Sequence, residues 1–179
     1  MTEVDRLRAL ARYEILDTPP EAMFDRLTRV AASVYSAPIA LVSLVDRDRQ
    51  WFKSARGLVG RETPVAWSFC AHAVRDGGVL VVPDARTDPR FRDNPLVTGS
   101  PYIRFYAGAP LEAPDGHRLG TLCVIDSKPR PGLADEHLGV LRDLAAMAVD
   151  LMEYRILSGA KPGGARLRLV ASRAQGNAS

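Results

Sequence analysis

A thiol and an imidazole occur close together in the segment Trp67-Ser68-Phe69-Cys70-Ala71-His72. A cysteine thiolate is a nucleophile and a metal ligand, and histidine exchanges protons near neutral pH, so the pair suggests covalent attachment, metal binding or redox sensing. On a helix, however, side chains two positions apart do not face each other. The pattern therefore does not predict a nucleophile and base pair, and packing of Cys70 in a core is the alternative interpretation.

Further candidates lie around residues 84–101, which are rich in Asp, Arg, Pro and Asn and lack a steady periodicity. Such a long irregular segment is typical of a lid or a binding loop. Arg104 and Tyr106 alternate on one strand and so share a face, which places both under this loop. The alternative is that Arg104 only forms an ion pair with Asp84 or Asp93. The ligand-binding residues predicted from the sequence are Trp67, Phe69, Cys70, His72, Asp84, Arg104 and Tyr106.

The sequence predicts no catalytic residue and no metal site. No Cys-x-x-Cys pattern is present, and His117 falls on an expected exposed turn. Cys123 lies in an apolar strand, where a thiol commonly packs as a small hydrophobic group. No role beyond packing is predicted for Cys123.

The candidate residues must be positioned by helices and strands, which the apolar pattern predicts. Thr18 and Glu21 have the spacing of a capping box, which predicts the start of the second helix. The strand at 39–45 is apolar on both faces, which predicts a central strand covered on both sides. The predicted helices are residues 2–16, a second ending at Pro38, 67–75 and 133–157, and the predicted strands are residues 39–45, 50–54, 79–83, 103–111 and 118–126.

This order of elements predicts an α+β fold. We expect an antiparallel sheet of five or six strands with the terminal helices on one face. The other face, under the short helix and the long loop, is expected to hold a pocket.

Composition limits the function classes. The 179 residues fit one domain, and much of the net charge of +3 comes from a terminal segment that contains Lys161, Arg166, Arg168 and Arg173. The remainder is close to neutral, which argues against a nucleic-acid-binding face. No stretch has the length of a membrane span or the pattern of a signal peptide, so we expect a cytoplasmic protein with free thiols and no membrane contact.

The chain resembles the GAF domains of bacterial signalling proteins. The segments that carry this resemblance cover residues 5–157 and are ILDTPPE, PIALVSLVD, RQWFKSARGL, SFCAHAV, VVPDARTDPRF, NPLVTG, IRFYAGAPL and DGHRLGTLCVID. The resemblance implies the GAF fold, a relative of the PAS fold. We therefore divide the chain into an N-terminal helix (1–16), a GAF domain (17–158) and a flexible basic tail (159–179).

The resemblance implies a non-catalytic sensor. Similar domains precede the output domains of histidine kinases, diguanylate cyclases or phosphodiesterases in two-component and related systems, and they pair through their terminal helices. We therefore expect an unidentified small-molecule ligand, a homodimer and an output partner of this kind, whether the chain is free-standing or a fragment. Bilin-binding GAF domains attach their ligand through a cysteine directly followed by histidine, whereas Ala71 separates Cys70 and His72. The sequence therefore identifies no cofactor, and a tetrapyrrole is the one candidate that the resemblance suggests.

Two other functions stay open. The first is a dimerisation module with a vestigial pocket, built on the terminal helices. The second is an enzyme similar to free methionine sulfoxide reductase, a GAF-fold activity that needs several cysteines near the pocket. Only Cys70 is expected near the pocket, so a resolving thiol is missing from the prediction.

Overall fold

The computed structural model describes residues 2–159, and the predicted tail beyond Gly159 lies outside the described residues. The α-helices are α1 (Glu3–Arg12), α2 (Ala22–Val34), α3 (Phe69–Asp76), the short α4 (Pro95–Thr98) and α5 (Asp135–Leu157), and a 3-10 turn spans Val65–Trp67. The strands are β1 (Ile39–Val45), β2 (Arg49–Arg56), β3 (Glu62–Pro64), β4 (Leu80–Val82), β5 (Phe105–Glu112) and β6 (Arg118–Asp126). None of the helices in this part of the chain is long and apolar enough to cross a membrane.

All six strands form one antiparallel sheet in the order β3-β2-β1-β6-β5-β4. Every residue of β1 is buried, because alternate side chains enter two different cores. Ala40, Val42 and Leu44 join one core, whereas Ile39 and Leu41 join the other. The prediction of a central strand covered on both faces is therefore confirmed.

The two cores lie on opposite faces of the sheet, which we call the helical face and the cavity face. The first core packs α1, α2 and α5 against the sheet, with Leu10, Phe24 and Leu141 fully buried. The second core lies under α3 and the loop that follows β4, and it includes Phe69 and Phe91. The predicted α+β fold, an antiparallel sheet of five or six strands with the terminal helices on one face, is thus confirmed, and the observed sheet has six strands.

The predicted start of α2 was wrong. The helix begins at Ala22, and Glu21, which stands at the N-cap, makes no capping hydrogen bond through its side chain. Its carboxylate instead accepts from Lys53 Nζ at 2.5 Å and from Arg155 Nε at 2.9 Å. Two cations outcompete the helix N–H groups because a hydrogen bond between two ionised groups also gains the attraction between full opposite charges. The first helix also ends earlier than predicted, at Arg12, and β3 was not predicted.

Three arginines connect α1, α2 and α5 to neighbouring segments through hydrogen bonds to backbone carbonyl oxygens. Arg6 of α1 donates to the carbonyl oxygen of Val45, the last residue of β1, at 2.6 Å. Arg130 donates to the carbonyl oxygen of Tyr35, just after α2, at 2.6 Å. Arg155, near the end of α5, donates to two carbonyl oxygens of the α1–α2 connection, each at 3.0 Å. The positions of all three helices are therefore fixed by hydrogen bonds as well as by apolar packing.

Candidate functional site

A cavity of about 380 Å³ lies between the sheet and the segments that cover its second face. Its floor comes from alternate residues of β1, β2, β5 and β6, and α3 forms one wall. The loop after β2, the short helix α4 and the residues before β5 close it from above. The lining residues are Ile39, Leu41, Gln50, Phe52, Gly57, Leu58, Val59, Thr63, Phe69, Cys70, Leu96, Ser100, Pro101, Ile103, Tyr106 and Ile125.

None of the described residues that line the cavity is charged. The lining is mostly aliphatic and aromatic, with a few polar groups. Thr63 carries a buried hydroxyl without a hydrogen-bond partner among residues 2–159. The side-chain oxygen of Gln50 accepts from the Ser68 hydroxyl, so its amide N–H groups are the part left for a ligand. The cavity therefore suits a largely apolar molecule with a few hydrogen-bonding groups and no net charge.

Three of the seven ligand-binding residues predicted from the sequence line this cavity: Phe69, Cys70 and Tyr106. All three are at most 3% exposed. Phe69 stacks on Phe91 of the loop after β4, with ring centroids 4.0 Å apart and an interplanar angle of 12°. This stack joins α3 to the covering loop, so the cavity wall and its cover pack as one unit.

Two other predicted residues, Trp67 and His72, lie outside the cavity lining. Trp67 is 37% exposed, and its carbonyl oxygen accepts from Asn94 Nδ2 at 3.0 Å. The ring of His72, also on α3, meets the edge of Phe91, and its Nδ1 is 2.8 Å from an Arg75 nitrogen. Burial lowers the pKa of His72, and Arg75 lowers it further. His72 contacts Arg75 whereas Cys70 contacts Thr121 and Tyr106, so the two do not form a nucleophile and base pair, as their spacing predicts.

Asp84 and Arg104 also lie outside the lining, because they bind each other. Arg104 donates through Nε at 2.7 Å and Nη2 at 2.5 Å to the two carboxylate oxygens of Asp84. This bidentate pairing matches the planar guanidinium to the carboxylate, and it lowers the pKa of Asp84. Asp84 holds the Arg104 side chain outside the lining, whereas Tyr106 lines the cavity, so the two residues do not act together under the loop. The ion pair that we gave as the alternative is what the structure contains.

The structure also brings together two thiols that the sequence analysis kept apart. Cys70 Sγ on α3 lies 4.0 Å from Cys123 Sγ on β6, and both cysteines are free and buried. Cys70 is the one cysteine among the described residues that line the cavity, as expected, but a second thiol lies directly behind it. The contact joins residues 53 positions apart, so only the pairing of the central strands under α3 reveals it.

Two hydroxyl groups complete this thiol cluster. Thr121 Oγ1 donates to Cys70 Sγ at 3.0 Å, and the Tyr106 hydroxyl donates to the same sulfur at 3.3 Å. Burial alone would raise the pKa of the Cys70 thiol, but the hydrogen bonds from Cys123, Thr121 and Tyr106 outweigh it and lower that pKa. The hydrogen bond to Cys70 and burial raise the pKa of Cys123. The cluster therefore stabilises negative charge on Cys70 rather than on Cys123.

Gly108 explains how Tyr106 reaches the cluster. The Tyr106 side chain lies along β5 above Gly108, where a Cβ atom would come within 2.2 Å of the phenol oxygen. Only glycine leaves room for the ring in this position. The other lining residues that the sequence analysis missed, such as Gln50 and Thr63, become neighbours only through strand pairing, and no local motif marks them.

Within residues 2–159, no group of three or more His, Cys, Asp or Glu side chains is arranged to hold a metal ion. His117, on the hairpin between β5 and β6, lies next to Asp115, with 2.9 Å between Nδ1 and Oδ1. It is far along the chain from the cavity-lining segments of α3 and does not belong to the cavity lining.

Known proteins are similar to this chain in sequence and in fold. The family model for the GAF domain matches residues 19–149. A cyclic di-GMP phosphodiesterase of Pseudomonas aeruginosa is 47% identical over 135 residues, which are 75% of this chain and 23% of that protein. The chain thus spans about a quarter of the length of this curated relative.

Solved structures share the fold at low sequence identity. The GAF domain of an Acinetobacter phosphoenolpyruvate-protein phosphotransferase has a TM-score of 0.64 and 17% identity, over 89% of this chain and 99% of that one. The free methionine-R-sulfoxide reductase of Neisseria meningitidis has a TM-score of 0.62 and 20% identity, over 87% of this chain and 90% of that one.

Proposed function

This chain belongs to the GAF domain family, and from that premise we propose that it is a sensory domain whose cavity binds an uncharged small molecule. The observation that carries the proposal is the cavity of about 380 Å³, closed over by α3 and the loop after β4. Its size lies at the lower end of the range of roughly 300–1,000 Å³ found for ligand pockets. A sensor of this kind is regulatory and performs no chemistry on its ligand.

The uncharged lining supports the choice of ligand class. Burying an ion without a countercharge costs much more than burying a neutral polar group that keeps its hydrogen bonds. Phosphate-bearing nucleotides, tetrapyrrole carboxylates and the zwitterion of free methionine sulfoxide are all disfavoured for this reason. The reductase alternative is therefore weaker than the sensor, although Cys70 does have a neighbouring thiol.

The terminal helices are the proposed route from the ligand to a partner. They pack on the same sheet whose other face forms the cavity floor. A ligand that binds better to one of two sheet positions would shift the helices between two arrangements. The similarity to part of a Pseudomonas aeruginosa phosphodiesterase supports an output partner in cyclic di-GMP signalling, such as a phosphodiesterase or a diguanylate cyclase. A histidine kinase is the other candidate output, and the proposed location is the cytoplasm.

Native mass spectrometry of the protein purified from its own host tests ligand binding. We expect a bound small molecule whose mass disappears on denaturation, because none of the proposed contacts is covalent. Leu96→Trp fills the cavity from α4 and should abolish this added mass. Leu138→Trp is the matched control, because Leu138 is a half-buried leucine of α5 outside the cavity lining. Equal retention of the added mass in both variants would place the ligand elsewhere, and its absence from the wild type would remove the proposal.

Dimerisation without ligand binding is the second candidate function. Six large apolar side chains are at least 42% exposed on the two long helices: Val30 and Val34 on α2, and Met147, Tyr154, Ile156 and Leu157 on α5. Such exposed residues are available to the terminal helices of a second copy. Light scattering with Met147→Glu tests this contact, with Val59→Glu at the fully exposed cavity mouth as the control. A dimer that persists in Met147→Glu would count against this arrangement.

A further inference from the structure

The sulfur of Cys70 is the centre of a cluster that no ligand-binding role requires. It accepts hydrogen bonds from Thr121 Oγ1 at 3.0 Å and from the Tyr106 hydroxyl at 3.3 Å, and Cys123 Sγ lies 4.0 Å away. A neutral thiol is a weak acceptor, whereas a thiolate is a strong one, so two hydroxyl donors on one sulfur favour its ionised form. The cluster thus contains a stabilised sulfur and a second thiol in van der Waals contact with it.

We propose that Cys70 and Cys123 form a dithiol that reduces a small hydroperoxide and closes to a disulfide in the cavity wall. Cys70 is the attacking residue, because it lines the cavity and receives the hydroxyl donors. Cys123 is the resolving residue, since it lies behind Cys70 and is not among the residues that line the cavity. This reaction goes beyond the sensor function proposed above, and it uses the same cavity as the route by which the oxidant reaches Cys70.

The first step oxidises Cys70. With hydrogen peroxide as the oxidant, the thiolate sulfur attacks one peroxide oxygen and the O–O bond breaks. The sulfur gains a hydroxyl group and becomes a sulfenic acid, while the second oxygen leaves as hydroxide and takes up a proton to form water. The proton that Cys70 lost on ionisation balances this step.

The second step forms the disulfide. Cys123 loses its proton, its sulfur attacks the Cys70 sulfur, and the S–O bond breaks. The departing hydroxide combines with the proton from Cys123 to give a second water molecule. In total, the two thiols lose two electrons and two protons, and one hydrogen peroxide becomes two molecules of water.

The cavity determines which oxidants reach the sulfur. Cys70 is 1% exposed and Cys123 is 0% exposed, so bulk solvent does not touch either thiol directly. The cavity gives a small neutral molecule access to Cys70, and hydrogen peroxide is little larger than water. Glutathione disulfide is large and charged, so an uncharged cavity of about 380 Å³ excludes it. The dithiol should therefore react with hydrogen peroxide and resist glutathione disulfide.

Disulfide formation would change the wall of the cavity. The two sulfurs must approach from 4.0 Å to the bonded distance of about 2 Å, which draws α3 towards β6. Phe69, the neighbour of Cys70, stacks on Phe91 of the covering loop, so this loop must follow or lose its contact. The Tyr106 and Thr121 hydroxyls, which now donate to Cys70 Sγ, also lose this sulfur as a strong acceptor.

The test treats the full chain with hydrogen peroxide, then denatures it and alkylates the remaining thiols before mass analysis. The expected product is an intramolecular disulfide between Cys70 and Cys123, which blocks both alkylation sites and removes the mass of two hydrogen atoms. Cys123→Ala should stop at a sulfenic acid on Cys70 that dimedone traps. Cys70→Ala should leave Cys123 at least about tenfold less reactive than Cys70 in the wild type, the factor that one unit of thiol pKa gives.

A second variant keeps both cysteines and probes the hydroxyl donors. Tyr106→Phe removes one hydrogen bond to Cys70 while keeping the ring, and we expect it to slow oxidation several-fold without changing the product. Circular dichroism verifies that each variant is folded. The proposal fails if both thiols of the folded wild type still alkylate after peroxide treatment, or if glutathione disulfide oxidises them as readily as hydrogen peroxide does.

Discussion

Replacement of Arg155 by methionine should separate the last turns of α5 from the rest of the helical face. The Arg155 side chain is 6% exposed and donates three hydrogen bonds, at 2.9 Å to the Glu21 carboxylate and at 3.0 Å to the carbonyl oxygens of Tyr13 and Glu14. Methionine keeps most of the apolar stem but donates nothing. The variant therefore isolates the polar contribution of Arg155.

The expected loss follows from what remains unpaired. Breaking a buried ion pair by removing one partner costs about 3–5 kcal/mol. Glu21 keeps its second partner, Lys53, at 2.5 Å and is itself 24% exposed, which favours the lower end of that range. We therefore expect Arg155→Met to lower the free energy of unfolding by about 3 kcal/mol. Arg155→Lys restores the charge but not the planar fork, and it should recover only part of this loss.

Urea unfolding, followed by the fluorescence of the buried Trp51, measures these free energies. The matched control is Arg142→Met on the exposed face of α5, which should change the free energy of unfolding by less than about 0.5 kcal/mol. A double-mutant cycle with Glu21→Gln should give a coupling free energy above roughly 0.5 kcal/mol. The reasoning is refuted if Arg155→Met is no more destabilising than Arg142→Met, or if the two sites are additive.

Three further outcomes are expected. Burial opposes ionisation of Glu21, but hydrogen bonds from Lys53 and Arg155 prevail and lower its pKa from the ordinary value of 4.5. Its stabilising contribution is therefore present above pH 4.5 and lost as pH falls through the lowered pKa, so the stability difference between wild type and Glu21→Gln should shrink in acid. Phe91→Ala should lower the free energy of unfolding by about 3–5 kcal/mol. Phe91→Leu should lower it by less, and urea unfolding measures both changes. Gly108→Ala forces the Tyr106 hydroxyl aside, and it should cost about 1–3 kcal/mol and slow peroxide oxidation of Cys70.

Local patterns predicted the central strands well. The alternation of two apolar sets in residues 39–45 and the turn residues before Arg118 act over a few positions, and the structure places β1 at Ile39–Val45 and β6 at Arg118–Asp126. Both strands lie at the centre of the sheet, so tertiary packing reinforces what the local sequence favours. Because local sequence preference and tertiary packing favour the same structure here, the bounds of both strands could be predicted from the sequence.

Contacts between distant residues were the part that sequence could not supply. Glu21 has the spacing of a capping residue, but Arg155 lies 134 positions away, and only the folded chain brings this second cation to the carboxylate. Asp84 and Arg104 are 20 positions apart, and the sequence allowed them to bind either a ligand or each other. The bidentate geometry in the structure shows that they bind each other. The Cys70–Cys123 contact was missed for the same reason, since no pattern in either segment refers to the other.

The sheet itself connects the cavity with the terminal helices. Tyr106 faces Cys70, whereas its neighbours Phe105 and Ala107 face the helical core. The guanidinium of Arg130 lies 5.1 Å from the centre of the Phe105 ring and also donates to the carbonyl oxygen of Tyr35, just after α2. Close-packed side chains transmit displacement rather than absorb it. The proposed signal, whether from a ligand or from a disulfide, would therefore run from the Tyr106 hydroxyl to α2 through one strand and one arginine. It would shift the helices only to the extent that it favours one of two positions of that strand.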